Sequence, residues 1–212
     1  MKTSVKKSDL HFAILATDVA LFAVVEGVLK LFTIEVNVPP FFVDARGLPG
    51  GLIAPDETAE DSVHRHINNK AGFPVPFIEQ LGAFSAIDRD PRGRVVSVAY
   101  IGCVPPSALE QSQKGKWVDV QRIPKLAYDH NEIAKRAIER VRLEMWHTDI
   151  ARHLMPKEFT LSELQVVYES VLGEPFDKRN FRKKISALGM VKKTKGMRRE
   201  GAHRPSELYR FI

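Results

Sequence analysis

Between Gly50 and Phe73 the chain reads GGLIAPDETAEDSVHRHINNKAGF, and this stretch leaves few ways to fold. Ala59, Val63 and Ile67 recur four residues apart, which predicts a helix from about Thr58 to Lys70 with one buried stripe. Gly72 suits the position just past the helix end, and Pro74 and Pro76 forbid continuation. His66, Asn69 and Lys70 stand in i, i+3, i+4 relation and are expected to share a face. That face offers an imidazole, a neutral amide and an ammonium. His64 and His66, two apart, diverge on a helix and are not expected to form a zinc site.

The rest of the chain has room for one or two domains. It has 212 residues, 44% of them hydrophobic, which suits a globular protein with a sizeable core. A single cysteine, Cys103, excludes an internal disulfide framework and suits a reducing compartment. It lies in the apolar run VVSVAYIGCV and reads as a small buried hydrophobe. Asp18 interrupts the longest apolar stretch, around residues 12–25, so no membrane helix is expected. The basic start, MKTSVKKSDLHFAILA, lacks a convincing cleavage site, and the expectation is a cytoplasmic protein. The net charge of +6 is unevenly placed: residues 1–156 hold 19 Lys/Arg and 19 Asp/Glu, whereas 157–212 hold 13 and 7. A neutral domain joined to one that meets a polyanion is the natural reading.

Taken in order, His11–Thr17 and Val19–Val25 read as β-rich runs, Gly27 as a turn and Val28–Val36 as a strand. Residues 37–47, with Pro39 and Pro40, read as a loop leading to Leu48-Pro49-Gly50-Gly51. Phe77–Ile87 and Val95–Val104 read as strands joined by the charged turn DRDPRGR (Asp88 to Arg94). By composition that turn is a solvated hairpin; the order DRDPRGRVVSVAY, however, resembles Nudix enzymes acting on ADP-ribose, where the turn lies near the pocket, and that resemblance implies that Arg92 or Arg94 meets a phosphate bidentately. Pro105 and Pro106 end the second strand, and Trp117–Ile123 reads as a short one. A helix is expected from Asp129 or His130, with Ile133, Ala137, Ile138, Val141 and Met145 facing the core. Thr148 or Asp149 suits the cap of a short helix ending at Pro156.

The tail follows winged helix-turn-helix logic. Thr160-Leu-Ser-Glu163 is a capping box that opens a helix to about Leu172. Its buried face is expected to hold Leu161, Leu164, Val167, Tyr168 and Val171, and Gly173 turns the chain. Asp177 caps a second helix, Lys178–Leu188, which Gly189 ends. Phe181, Ile185 and Leu188 are expected on its core side; Lys178, Arg179, Asn180, Arg182 and Lys183 are the candidates for reading DNA. Arg179 or Arg182 can read guanine, and Asn180 adenine if it points outward. Met190–Thr194 and Glu207–Phe211 read as wing strands, with Lys195, Arg198, Arg199, His203 and Arg204 in a loop suited to phosphate contacts. The alternative is a solvated basic helix and hairpin that binds no DNA.

Two resemblances organise these pieces. Gly51, Glu57, Arg65, Ile67, Gly72 and Phe73 fall on the frame of the Nudix hydrolase signature, but His66, Asn69 and Lys70 stand where it has glutamates. LPGG, Glu57, DRDPRGRVVSVAY, LAYDH, FTLSELQVVYESVLGEPFDKRNFRKKI and RPSELYRF together resemble the Nudix-related transcriptional regulators, the NrtR family, over nearly the whole chain. The chain departs from the pattern in HINNK and in lacking a Lys-Arg pair at the end of the third strand. The resemblance implies an α/β (α+β) Nudix fold, a mixed sheet sandwiched by helices, followed by a C-terminal winged helix-turn-helix domain. Residues 1–150 would form the ligand-sensing and dimerisation domain and 151–212 the DNA-binding domain. It further implies a homodimeric repressor acting on double-stranded DNA at a palindromic operator in NAD metabolism or sugar use, with a phosphorylated effector such as ADP-ribose. The candidate ligand-binding residues are Arg46, Lys70, Arg92 and Arg94. In the family, Glu57 and Arg65 mainly tie the loop to the helix, and the lost glutamates hold Mg²⁺. Neither a resident cofactor nor a metal is expected here, because Mg²⁺ wants oxygen ligands, usually anionic. The competing expectations are an active Nudix hydrolase of a nucleoside diphosphate derivative and a constitutive DNA-binding protein with a purely structural Nudix domain.

Overall fold

Strand β1 (Ile14–Val25) is buried on both faces from Ala16 to Val24, and the sheet is assembled around it. Its alternate residues enter different cores, as the period of two requires. Ala20, Phe22 and Val24 join one cluster; Val19, Leu21 and Ala23 join the other. The computed structural model describes residues 12–111, 114–199 and 205–212. The two apolar runs expected on either side of Asp18 form one continuous strand, with Asp18 buried inside it. A charge can sit there because partners from other segments meet it.

β1 pairs antiparallel with β2 (Val28–Val38) through a turn at Gly27, and parallel with β6 (Val95–Cys103) along nine residues from Ile14↔Val95 to Phe22↔Cys103. β3 (Phe42–Gly47) flanks β2, and β5 (Phe77–Phe84) flanks β6. β4 (Gly50–Leu52) pairs with β1, and β7 (Lys116–Asp119) with β2. The sheet is therefore mixed. Helix α1 (Ala59–Lys70) packs Val63 and Ile67 on one face, and α2 (His130–Glu144) packs Ile133, Ala137, Ile138 and Val141 on the other. Cys103 is buried in the α2-side core, and burial pushes its thiol pKa up.

Several sequence expectations need correction. Residues 42–47, expected in a loop, form β3, because Glu35↔Arg46 and Val36↔Ala45 pair across to β2. Only the first part of 117–123 is a strand; Val120–Arg122 closes into a 3-10 turn whose Gln121 N–H is capped by Asp119. β5 stops at Phe84, leaving Ile87 exposed. The helix signals hold closely: Thr58 and Asp61 form a capping box on α1.

The short helix α3 (Ile150–His153) leads into the C-terminal unit. α4 (Leu161–Leu172) carries the capping box of Thr160 and Glu163, and α5 (Lys178–Leu188) starts at Asp177, whose side chain accepts from Asn180 N at 2.9 Å. Gly173 and Gly189 close these helices in the left-handed conformation (φ 77° and 63°) that favours glycine. β8 (Val191–Arg198) and β9 (Ser206–Phe211) form the wing, and Phe159 bridges to Tyr209 as a third backbone partner. Lys195 and Arg198 thus lie on β8, not in the wing loop, and Leu188 is exposed at the helix end rather than buried. Arg204 and His203 lie outside the described residues.

The α2-side core runs without a break from Phe22 and Leu31 through Met145 to Leu164, Tyr168 and Phe181. Trp146, just past α2, packs against Tyr168, Phe176 and Phe181. Ser170 Oγ donates to Gly27 O at 2.6 Å, and Arg142 Nε donates to Val171 O at 3.0 Å. The winged helix is therefore seated on the β1–β2 turn and on α2.

Candidate functional site

A cavity of about 470 Å³ opens where β1, β2, β4, α1 and the loops before β6 and α2 converge. Asp18 lies at its floor. Its carboxylate accepts from Ser97 Oγ at 2.7 Å and from Arg89 Nη2 at 3.2 Å, and faces His130 Nε2 at 3.2 Å. Leu48 N–H donates to His130 Nδ1 at 2.9 Å, which puts the ring proton on Nε2, toward Asp18. Burial would raise the Asp18 pKa, but His130, Ser97 and Arg89 outweigh it and hold it at about 2. Arg89 also grips Asp129 bidentately, at 3.0 and 2.8 Å, and is itself buried. The network joins β1, β6, the charged turn and the start of α2.

The Nudix-like helix borders this floor from the other side. Ser62, His66 and Lys70 form the inward stripe; Ser62 meets Thr17 at 3.1 Å, and the other two line the cavity. The His66 ring lies so close to Gly51 that a Cβ there would stand 2.6 Å from it, so a larger residue would have to displace the ring. His66 Nε2 donates to Leu52 O at 3.2 Å, and burial lowers its pKa. Lys70 Nζ donates to Gly50 O at 2.5 Å. Asn69 does not share this face: it is exposed. At 3.6 residues per turn, i+3 falls about 60° away from His66 on the side opposite Lys70.

Glu57 and Arg65 tie the loop to the helix. Glu57 accepts from Arg65 Nε at 2.8 Å and Ala54 N at 2.7 Å, while Arg65 Nη2 also reaches Glu57 and donates to Leu52 O at 3.0 Å. The hydrogen bonds from Arg65 and Ala54 hold the Glu57 pKa down at about 2. Among the described residues no group of three His, Cys, Asp or Glu side chains is placed to hold a metal ion. The Mg²⁺ site implied by the fold therefore has no matching donor set. Glu57 is committed to Arg65, Asp18 is surrounded by donors, and the signature positions carry His66, an outward Asn69 and Lys70.

Of the four residues expected to contact ligand, Lys70 and Arg92 line the cavity; Arg46 and Arg94 do not. Arg46 is turned to Thr33, donating to its Oγ1 at 2.9 Å and its carbonyl at 2.5 Å. Arg94 donates to Ser85 O and Ala86 O at the base of the turn. Arg92 is paired with the buried Asp90 (2.9 and 2.7 Å) and stands 5.3 Å from the Tyr128 ring centre. Tyr128, at φ 54°, packs on Phe42 and offers an aromatic surface beside the guanidinium. Asp18, Arg89, Asp129 and His130 escaped the sequence reading as site residues. The signal available for Asp18 was a carboxylate inside a strand otherwise apolar on both faces.

A second surface lies on the C-terminal unit. On α5, Phe181 and Ile185 are buried, while Lys178, Arg179, Asn180, Arg182 and Lys183 are exposed, and none of the four cations is ion-paired among the described residues. Lys184 instead stands 3.5 Å over the Trp146 ring. Arg182 borders a groove with Thr160, Ser162, Met197 and Tyr209. Lys195 and Arg199 are exposed along the wing. Arg198 donates to Glu163 at 2.6 Å and to Glu158 O at 3.2 Å, so it fastens the wing to α4.

Comparison with known proteins follows the same division. Residues 39–141 match the NUDIX domain model, and residues 151–211 match the NrtR DNA-binding winged helix domain model. The ADPR responsive transcriptional repressor NtrR of Acinetobacter baylyi is 34% identical over 97% of this chain and 85% of that protein. An ADP-ribose pyrophosphatase of Methanocaldococcus jannaschii is 34% identical over 63% of this chain and 82% of its own. The crystal structure of Shewanella oneidensis NrtR complexed with a 27mer DNA superposes with a TM-score of 0.82, at 31% identity, covering 93% of each chain.

Proposed function

This chain belongs to the NrtR family of Nudix-related transcriptional regulators, and on that premise we propose that it is a DNA-binding repressor whose Nudix domain senses ADP-ribose or a closely related phosphorylated nucleotide without hydrolysing it. The observation that carries this reading is a pairing within one chain. An exposed basic helix, α5, stands beside the paired strands β8 and β9, while the Nudix cleft keeps its cavity but, among the described residues, not its metal carboxylates. We divide the chain into a sensing and dimerisation domain, 1–150, and a DNA-binding domain, 151–212. Two copies would present their α5 helices about one DNA turn apart to a palindromic operator in the cytoplasm. Lys178, Arg179, Asn180, Arg182 and Lys183 enter the major groove, while Lys195 and Arg199 meet phosphates. Lys70 and Arg92 meet the diphosphate, and Tyr128 accepts the base or a sugar face.

Ligand can shift DNA binding only by preferring one arrangement of the two units. α2 is the element through which it acts in this reading: its first residue, His130, borders the cavity, and its far end leads to Trp146 against α4 and α5.

The test is selection of genomic fragments on the purified protein at physiological salt, with and without ADP-ribose. Enrichment of one palindromic motif, released by ADP-ribose, is the expected result. Retention without a motif that vanishes with modest added salt would reduce the tail to non-specific phosphate binding. Likeness to the pyrophosphatase favours hydrolysis as the second reading. Turnover of ADP-ribose in Mg²⁺ would decide for it.

A further inference from the structure

Three strong cations line the cavity: Lys70, Arg89 and Arg92. Arg89 is held by Asp18 and Asp129, and Arg92 by Asp90. Lys70 differs, since its ammonium donates to a neutral carbonyl, Gly50 O, and among the described residues no ion pair to a carboxylate accompanies it. One N–H of the ammonium is thereby fixed, leaving two donors to point elsewhere. The half-buried stem keeps the charge beside the cavity floor, four residues from His66 on the inward stripe. Burial lowers the Lys70 pKa and the Asp18 carboxylate opposes it, so a bound anion would restore what burial takes away.

The same position carries the last carboxylate of the Nudix signature. A divalent ion brought there would lie against an ammonium, with Asp18 already occupied by Ser97, Arg89 and His130. Charge that a metal supplies in a hydrolase has to come from elsewhere if a diphosphate is to be held. We propose that the Lys70 ammonium takes the place of the divalent metal, so that the cavity binds the diphosphate of its ligand without a metal ion. The proposal rests on the sensor reading above. A cation tethered to the chain neutralises a ligand phosphate but provides no activated water, so it converts a hydrolytic cleft into a binding cleft.

The experiment is calorimetric titration of ADP-ribose into the full chain, once in EDTA and once in Mg²⁺. The expected result for the natural chain is the same affinity in both, within about twofold. Lys70→Gln should lose roughly tenfold or more in both buffers, as expected for removing a hydrogen bond from a charged group, whereas Lys70→Arg should retain most of the affinity. Lys70→Glu should lose binding in EDTA and regain part of it in Mg²⁺. Binding by the natural chain that requires Mg²⁺ would overturn the proposal and leave the sensor reading standing. Lys70→Gln binding as tightly as the natural chain would do the same. Absence of ADP-ribose binding in either buffer would overturn the sensor reading and this proposal together. The comparison on the natural chain needs no variant to fold.

Discussion

Replacing Asp18 by Asn probes the centre of the cavity network and the fold at once. The folded Asp18 carboxyl titrates at about 2, against an ordinary 3.8. Its folded pKa is depressed, so the ionised group stabilises the fold fully above about pH 4, and this contribution is lost as pH falls through about 2. The difference is worth about 2 kcal/mol at neutral pH, with roughly half gone by pH 3. Asn also turns N–H donors toward Arg89 or Ser97 and removes the charge opposite a buried guanidinium; breaking a buried pair from one side costs about 3–5 kcal/mol. Arg89 keeps Asp129, which limits the loss. Asp18→Asn should therefore lower stability by about 2–5 kcal/mol at pH 7, and the gap from the natural chain should narrow by about 1 kcal/mol by pH 3. Urea unfolding followed by tryptophan fluorescence at the two pH values measures both. A gap under ~1 kcal/mol at pH 7, or one that does not change with pH, would refute the assigned role of Asp18.

Other consequences can be read with similar assays. Arg182→Ala is expected to relax specificity at one operator position at a cost of about 1–3 kcal/mol; an even loss over all selected sequences would show that it touches only phosphate. Thr160→Ala removes the side-chain acceptor of the Glu163 N–H and should cost about 1 kcal/mol in urea unfolding, with faster amide exchange in β8 because Glu163 also anchors Arg198; unchanged exchange would show that the wing does not depend on the cap. Trp117 packs in the α1-side core and Trp146 against α4 and α5. Single-tryptophan variants should unfold in coincident transitions, since one apolar core joins the two units; separated midpoints would mean that the contact at Ser170 and Gly27 is only a docking of independent domains.

Local signals in the sequence carried far. Thr58, Thr160 and Asp177 mark helix starts, and Gly173 and Gly189 mark ends, because a cap is decided by groups within one turn. The stripes of α1, α2 and α4 were legible for the same reason: their period is intrinsic to the helix. Missing carboxylates at 66, 69 and 70 needed only the signature frame. β3 was not legible, since a short strand after two prolines owes its existence to pairing with β2 rather than to its own composition. Nor was the cavity. Asp18, Lys70, Arg89 and His130 come from four separated segments, brought together by the parallel register of β1 on β6 and the return of the chain into α2. Tertiary contacts also decided which arginines face the cavity: Arg46 is taken by Thr33, Arg94 by the backbone of its own turn, and Arg198 on the wing by Glu163. A long, charged side chain takes whichever acceptor lies within reach, and that neighbour is set by the packing of elements far apart in sequence.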